Sequence, residues 1–374
     1  MAKILYLVAE DWFFCQHFLP MARAARLAGC EVAVATRLRA HRSQIEAEGL
    51  TAISLENERG SLAPIEALRT IAKTTRIVTD QHPDIVHCIA LRMVVLGGIA
   101  ARLARAKRLV LALTGLGHLW IENGLIERSA RMLVREVVGK SLKGPRTHYL
   151  FENPDDPGEF GLDVGDPNVT VVGGAGVRPA DFPVVPEPPA PPVKIAIVAR
   201  MLVPKGIAEA VAAVGEARAR GVDVEADLFG APDPSNPRSL TAAELRRWAA
   251  DPWIRWHGPS ADVAGVWRDH HVAMLLSHRE GLPRSLVEAA AAGRPIITTD
   301  VPGCRELVRH EVEGLLVPRG DVTAAAGAIA RLAEDARLRA RMGAAANFRA
   351  RERFSEEVVM RSLATLYTAL LAKP

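Results

Sequence analysis

The stretch VAMLLSHREGLPRSLVEAAAAGRPIITTD, residues 272–300, decides how this chain folds. It opens on an apolar run, 272–277, with the length and composition of a buried strand. A short loop carrying Glu280 and Gly281 follows, and Pro283 suits the first position of a helix, where its missing N–H costs nothing. The helix runs to Gly293, whose access to left-handed backbone fits a C-terminal stop. A second apolar run rich in β-branched residues, 295–299, comes next. Strand, helix and strand in succession build a parallel sheet.

The same alternation extends through the chain. Apolar runs lie at 3–9, 31–36, 85–89, 109–113 and 147–151, then at 194–199, 224–230 and 314–317. Helical stretches such as 205–220 and 321–335 separate them. Strands apolar along their whole length are covered on both faces. The expected fold class is therefore α/β, with two Rossmann-like doubly wound domains whose ligands sit at the carboxyl ends of the strands.

One shift in composition divides the chain. Residues 178–193 (RPADFPVVPEPPAPPV) hold seven of the 25 prolines, and such a segment is neither helix nor central strand. It favours an extended connector, with an N-terminal domain at 1–183, a linker at 184–193 and a C-terminal domain at 194–354. A proline-rich surface loop within one domain is the alternative. Residues 355–374 read as a closing amphipathic helix with Ser355 as N-cap, able to cross back to the N-terminal domain.

Length agrees with this division, since 374 residues is two to three domains of about 150 each. Hydrophobic residues make up 49% and charged residues 24%, which excludes disordered, collagenous and coiled-coil chains. The longest charge-free stretch, Leu109 to Ile121, has 13 residues, short of the roughly 18–20 that span a bilayer. The first residues lead straight into a strand-like run, with no cleavable leader pattern. Cys15, Cys30, Cys88 and Cys304 lack CxxC or metal-ligand spacing and read as reduced thiols of a cytoplasmic protein. A net charge of +4 is too mild to imply nucleic acid. The charge is uneven, however: residues 101–150 hold ten Lys or Arg against three Asp or Glu, and 151–183 hold one against seven. The run ERSARMLVREVVGKSLKGPR (127–146) reads as a basic amphipathic helix. It is either a solvated face or a contact for an anionic lipid surface and an acceptor diphosphate.

The loop and helix of 277–293 also carry candidate chemistry. Unsatisfied amides between Leu282 and Ser285, at the positive end of the helix, make an anion site. Glu280 in the loop and Glu288 along the helix can accept from two separate hydroxyl pairs of one ligand. As an isolated pair they read first as a helix cap and a solvated helical residue. A second feature changes that reading. Arg200 and Lys205 follow the strand at 194–199, where a helix N-terminus repels cations. A departing diphosphate is the kind of ligand that needs two such cations.

These motifs resemble those of the family 4 glycosyltransferases, retaining enzymes of the GT-B fold. The matching residues are ARMLVPKG (199–206), EGLPRSLVEAAAAG (280–293) and ITTDVPGCREL (297–307). FGAPDPSNPRSL (229–240), Trp248 and WHG (256–258) are also similar to that family. The pairing of ARML with GRPIITTDVPGCRE resembles the branch acting on polyprenyl-diphosphate-linked saccharides in bacterial glycan assembly. The resemblance implies that Arg200 and Lys205 bind the donor diphosphate, Glu280 contacts the transferred sugar and Glu288 the ribose. The loop of Gly281, Leu282, Pro283, Arg284 and Ser285 would hold sugar and phosphate. Glu280, Arg200 and Lys205 would thus carry the catalysis. A UDP-linked nucleotide-sugar would be the co-substrate, with no cofactor. No metal is implied, since the cations neutralise the diphosphate and the sequence has no DxD triplet.

In the first half the resemblance is weaker. Where many members carry a glycine-rich turn after the first strand, this chain has EDWFFCQHFLPMARAA (10–25), with a helix expected to open near His17. Trp12, Phe13 and Phe14 either stack on a saccharide or pack in the core. Members often place His–Gly after the strand equivalent to 109–113; here Thr114 and Gly115 occupy that place and His118 is the nearest histidine. His118 is the catalytic or acceptor-side candidate, with a structural imidazole as the alternative. His17 and His87 rank behind it. Asn153, in FENPDD (151–156), joins the acceptor-side candidates.

The expected function is transfer of a sugar, with an N-acetylhexosamine as one candidate, to a lipid-diphosphate-linked saccharide. The enzyme would be peripheral on the inner face of the plasma membrane. Its two domains would face across a cleft and close about the 184–193 linker to exclude water. The rivals are a non-hydrolysing UDP-sugar epimerase of the same architecture, transfer to a phospholipid or small molecule, and an inactive scaffold.

Overall fold

Seven strands form the first sheet: β1 (Lys3–Glu10), β2 (Glu31–Arg37), β3 (Thr51–Ser54), β4 (Ile85–Ile89), β5 (Leu109–Leu113), β6 (Thr147–Phe151) and β7 (Val169–Val171). They lie in the order β3-β2-β1-β4-β5-β6-β7, and every neighbouring pair is parallel. Six more form the second: β8 (Val193–Val198), β9 (Val224–Phe229), β10 (Ile254–Gly258), β11 (Val272–Leu275), β12 (Ile296–Thr299) and β13 (Gly314–Val317). Their order, β10-β9-β8-β11-β12-β13, repeats the same plan, again wholly parallel. Each sheet starts in the middle, runs to one edge and resumes beside its first strand. The direction therefore switches between β1 and β4 and between β8 and β11, and loops part there to leave a crevice for a ligand.

The computed structural model describes residues 1–56, 64–122 and 124–372. These form two compact units, Met1–Ala175 with Glu356–Pro374, and Gly176–Ser355. Strands β4, β5, β6, β11 and β12 are buried at every residue, as their unbroken apolar sequences require. The strands that carry no apolar run in the sequence, β3, β7 and β10, are all edge strands. An edge strand pairs on one side and stays partly wet, so its sequence needs no continuous apolar run.

The proline-rich segment belongs to the second unit. Phe182 is buried in that unit's core. The Val185 and Pro188 carbonyls accept from Arg294 Nη2 (3.3 Å) and His271 Nε2 (3.0 Å), and Glu187 pairs with Arg339 at 2.9 Å. Extended backbone turns its carbonyls outward, and two largely buried side chains, Arg294 and His271, use them as partners. The units thus divide at Ala175/Gly176, ahead of residues 184–193, and those residues are strapped to one unit.

The final helix, Glu356–Ala372, belongs to the first unit. Its buried Val359, Leu363, Leu366, Tyr367 and Leu370 join the cluster that holds Ile4, Tyr6 and Met21. The Tyr367 hydroxyl lies 2.8 Å from the Tyr6 hydroxyl and 3.0 Å from His87 Nδ1, and Tyr6 O–H donates to the Met21 carbonyl at 2.9 Å. One proton order satisfies all three bonds: His87 Nδ1–H to Tyr367, Tyr367 to Tyr6, Tyr6 to Met21. It leaves only the bare acceptor Nε2 of His87 without a partner, which costs less than a stranded N–H. His87 is accordingly a core residue.

Burial pushes the His87 imidazole down from 6.5 to about 3. The native state therefore refuses a proton that the unfolded chain accepts, so this contribution is intact above pH 6.5 and is lost as pH falls toward 3. We expect acid to cost the first unit about 3–5 kcal/mol across that window. His87→Gln should flatten the acid limb of its melting profile. An acid limb of unchanged slope would contradict the assignment.

Candidate active site

Three loops gather at the carboxyl ends of β8, β11 and β12. The loop after β8 ends at Gly206, whose backbone is left-handed (φ +67°). A Cβ at Gly206 would fall 1.9 Å from the Leu276 carbonyl oxygen, so only glycine lets these two loops touch. Gly303 (φ +78°), after β12, presses in the same way on the Gly281 carbonyl, which a Cβ would meet at 2.3 Å. Hydrogen bonds complete the clamp: His278 N–H donates to the Pro204 carbonyl at 2.9 Å, and the Thr298 hydroxyl to the Leu275 carbonyl at 2.7 Å.

This clamp delivers Lys205 to Glu280. The single turn Val203–Lys205 presents the ammonium, and Nζ lies 2.6 Å from Glu280 Oε1. The buried Ser277 hydroxyl donates to the same oxygen, also at 2.6 Å. Both donors converge on Oε1, which leaves Oε2 available to a ligand hydroxyl. The carboxylate is only 10% exposed, so this pair is screened far less than a surface ion pair. Behind it, His278 Nε2 donates to Glu209 Oε1 at 2.8 Å, and that bond is the main reason the Glu209 carboxyl sits below its usual range.

Glu280 is not a helix cap. The helix spans Arg284–Ala291, starting one residue later than the sequence suggested, so that Pro283 is its N-cap, with no side chain bonded to the first turn. A proline ring offers no acceptor, so the helix start keeps its capacity for an anion. Gly293, at φ +74°, ends the segment as expected, its N–H donating to the Ala290 carbonyl at 2.9 Å. Glu288 is not a solvated residue either. Its Oε1 accepts from Arg284 Nε at 2.9 Å, and burial pushes its carboxyl above the usual range against the pull of that arginine. Gly281 and Pro283 are buried, while Leu282, Arg284 and Ser285 are half-buried.

Arg200 stands apart. Its guanidinium is 54% exposed and lies 3.4 Å from Asp233 Oδ2, on the loop after β9. The two expected phosphate ligands thus rest on different carboxylates, as mutually repelling cations do when acids lie within reach of each. Sequence reasoning missed Asp233 and Ser277. The available signal for Ser277 was a serine at a strand end three residues before Glu280.

In the first unit the helix opens directly after β1, as Asp11–His17, and contains the aromatic triple instead of following it. Asp11 is the cause. Its buried carboxylate accepts the N–H groups of Trp12 (2.7 Å), Arg39 (2.6 Å) and His41 (3.0 Å), an anion placed at the positive helix end. Burial raises its pKa, and those backbone bonds more than reverse the effect, holding it below the usual range. Phe14 is core. Trp12, Phe13 and His17 remain half-buried, with the Phe13 ring 5.7 Å from Trp12 and 5.1 Å from His17.

The other first-unit candidates differ among themselves. Thr114 and Gly115 follow β5, with Gly115 at φ +108° and the Thr114 hydroxyl without a partner among the described residues. His118 falls in the turn His118–Trp120, and its side chain lies outside the described residues. Asn153 is completely buried, its Oδ1 accepting from the Asp155 (3.1 Å) and Asp156 (3.0 Å) amides and its Nδ2 donating to Asp156 (3.0 Å). It holds the start of the turn Asp156–Phe160.

Known proteins resemble this chain in both halves. Residues 3–134 match the family model described as Glycosyl transferase 4-like, and residues 192–335 match Glycosyl transferases group 1. Over 339 residues the chain is 24% identical to the N,N'-diacetylbacillosaminyl-diphospho-undecaprenol alpha-1,3-N-acetylgalactosaminyltransferase of Campylobacter jejuni, covering 86% of this chain and 87% of that protein. It is 33% identical over 194 residues to the putative colanic acid biosynthesis glycosyltransferase WcaL of Escherichia coli, covering 49% and 46% of the two chains. The crystal structure of Anabaena Alr3699/HepE in complex with UDP and glucose has a TM-score of 0.76 at 18% identity, covering 99% of this chain and all of that one. Sucrose-phosphate synthase from Thermosynechococcus elongatus reaches 0.79 at 18% identity over the full length of both.

Two doubly wound parallel units of this kind make up the GT-B class of glycosyltransferase fold. With one matching glycosyltransferase domain in each half, the chain belongs to glycosyltransferase family 4.

Proposed function

We propose that this chain moves a sugar from a UDP-linked nucleotide-sugar to a lipid-diphosphate-linked saccharide, with retained anomeric configuration and no metal ion. The observation that carries the reading is the Lys205–Glu280–Ser277 constellation beside an uncapped helix start at the β8/β11 switch. Lys205 Nζ and the first amides of the helix would neutralise the departing diphosphate. Arg200 would exchange Asp233 for a phosphate oxygen. Glu280 Oε2 would accept from a hydroxyl of the transferred sugar, and Glu288 from the ribose. The acceptor hydroxyl then attacks from the face the diphosphate is leaving and passes its proton to the departing oxygen, so no protein nucleophile is required.

The comparisons supply two supports. The Campylobacter relative is named for an undecaprenyl-diphosphate saccharide acceptor and an N-acetylhexosamine donor sugar, and the alignment spans both domains. The Anabaena structure holds UDP and glucose. With an acceptor of that class the enzyme would work at the cytoplasmic face of a membrane, where UDP-sugars are available. No helix among the described residues is long and apolar enough to cross one.

The test combines the chain with single UDP-sugars and a synthetic lipid-diphosphate saccharide. UDP release should need both substrates, and the product should keep the donor's anomeric configuration by NMR. Excess EDTA should leave the rate within about two-fold, because fixed cations replace the metal's electrostatic role. An inverted product, or a rate abolished by EDTA and restored by Mn²⁺, would overturn the mechanism. An epimerised UDP-sugar formed without acceptor would overturn transfer itself.

A further inference from the structure

Lys205 does not reach Glu280 by its side chain alone. A lysine stem is flexible, so its ammonium settles on one oxygen only where the backbone beneath it is fixed. Here that backbone is the single turn Val203–Lys205. Two bonds close it, from Lys205 N–H to the Leu202 carbonyl and from Gly206 N–H to the Val203 carbonyl, each 3.0 Å. So short a turn cannot hold its own place and takes it from its neighbours. Ahead of it, Val203 N–H donates to the Arg238 carbonyl at 2.9 Å, and Leu240 N–H to the Met201 carbonyl at 2.8 Å.

On the side toward β11, His278 holds the turn at two points. Its N–H donates to the carbonyl of Pro204, the residue before Lys205, at 2.9 Å. Its ring reaches past the lysine to Glu209, where Nε2 donates to Oε1 at 2.8 Å. Glu209 stands in the first turn of the helix Ile207–Ala219, which Gly206 joins to Lys205. The two bonds therefore bracket Lys205, one on its loop and one on the helix that the loop enters. His278 itself lies between Ser277 and Glu280, in the loop whose carboxylate receives the ammonium. The His278 and Glu209 side chains are 20% and 25% exposed, so water and salt weaken this bond less than a surface contact.

We propose that His278 is a positioning residue for sugar transfer, which sets Lys205 against Glu280 by tying the start of the following helix to the β11 loop through Glu209. It acts through the backbone it holds and not by contact with substrate. The inference rests on the reading of Lys205 as the cation that meets the departing diphosphate. Transfer demands such a residue because an ammonium displaced by a fraction of an ångström stabilises the leaving group far less. Without the ring's donor, the Pro204 bond alone would hold the turn on this side, and the helix start could shift relative to the loop that carries Glu280.

Kinetics of the full chain test it. His278→Phe keeps the ring's bulk and removes the donor, and kcat should fall by about 10- to 100-fold, the cost of a slightly misplaced catalytic group. KM for the UDP-sugar should change by no more than about three-fold, since the loss falls on the transition state. Glu209→Ala should cost the same, and the double variant no more than either single one, because both break one link. His278→Gln should recover most of the rate, its amide N–H replacing the imidazole donor. A second measurement needs no substrate. Acylation of Lys205, followed by mass spectrometry of its peptide, should quicken several-fold in His278→Phe and Glu209→Ala but not in His278→Gln, as the amine leaves its carboxylate. Wild-type kcat and labelling in His278→Phe would overturn the proposal, and so would a loss that Glu209→Ala does not share. A lowered melting temperature with kcat unchanged would make the histidine merely structural and overturn it too. Should Lys205→Ala itself transfer sugar at wild-type rate, the transfer reading would fail, while the labelling would still decide what His278 holds.

Discussion

Lys205→Ala is expected to slow sugar transfer by about 10²–10³-fold, the usual cost of deleting one fixed charge-stabilising donor. The ammonium sits 2.6 Å from Glu280 Oε1, held there by the clamp at Gly206 and not by chance surface pairing. Because the charge on a leaving diphosphate grows toward the transition state, the loss should fall mainly on kcat. Glu280→Gln should cost a similar factor by another route. It keeps the Ser277 bond but replaces the charge that orients Lys205 and the acceptor atom for the sugar hydroxyl. Since the two residues act as one unit, the double variant should be little slower than either single one. Full multiplication of the two losses would mean independent roles. Wild-type rates in both singles would remove this site from the reaction altogether. Melting curves supply the control, for neither residue belongs to a hydrophobic core cluster.

Gly206→Ala is expected to lower the melting temperature of the second unit by about 4–20 °C, at roughly 2–4 °C per kcal/mol for a domain of this size. Two costs add. An L side chain in left-handed backbone costs about 1–2 kcal/mol, and forcing a Cβ into occupied space costs about 1–3 kcal/mol. The intruding methyl would fall 1.9 Å from a carbonyl oxygen, and backbone cannot swing aside as a flexible side chain does. The β8 and β11 loops would have to part, moving Lys205 from Glu280, so activity should fall together with stability. Gly215→Ala is the matched control. Gly215 lies within the helix Ile207–Ala219, where an added methyl would meet nothing within 4 Å, and alanine there should be neutral or stabilising by up to about 1 kcal/mol. A Gly206→Ala protein as stable as Gly215→Ala would refute the clamp.

Legibility followed burial. Strands β4, β5, β6 and β13 occupy the residues that their apolar runs indicated. The edge strands β3, β7 and β10 escaped because most of their residues stay partly exposed, whereas β13, also at an edge, is buried at three of its four residues. Glu280 and Lys205 were legible because a glutamate in a short loop and a lysine at a helix start each need a local reason to be there. Their union through Ser277 Oγ was not, since nothing local says which donor reaches which oxygen. Asn153 was legible only as a polar residue after a strand, and its bond to the Asp156 amide, which ties its own turn, appears only in the folded loop.

By itself, then, the sequence determined two doubly wound α/β halves, a loop and helix after β11, and a basic amphipathic helix near residue 130. Each follows from composition and periodicity within a few tens of residues, where chain geometry leaves few choices. Tertiary structure alone decided what depends on distant partners. Lys205 meets Glu280 across 75 residues, and Tyr6 meets Tyr367 across 361, tying the last helix to the first strand. The proline run likewise became part of the second unit through Phe182, Arg294, Arg339 and His271, and the helix Leu125–Glu136 proved free of buried residues only once the core had formed without it. Such contacts arise when whole sheets pack, because the loop-closing entropy between distant residues is repaid only by the assembled core.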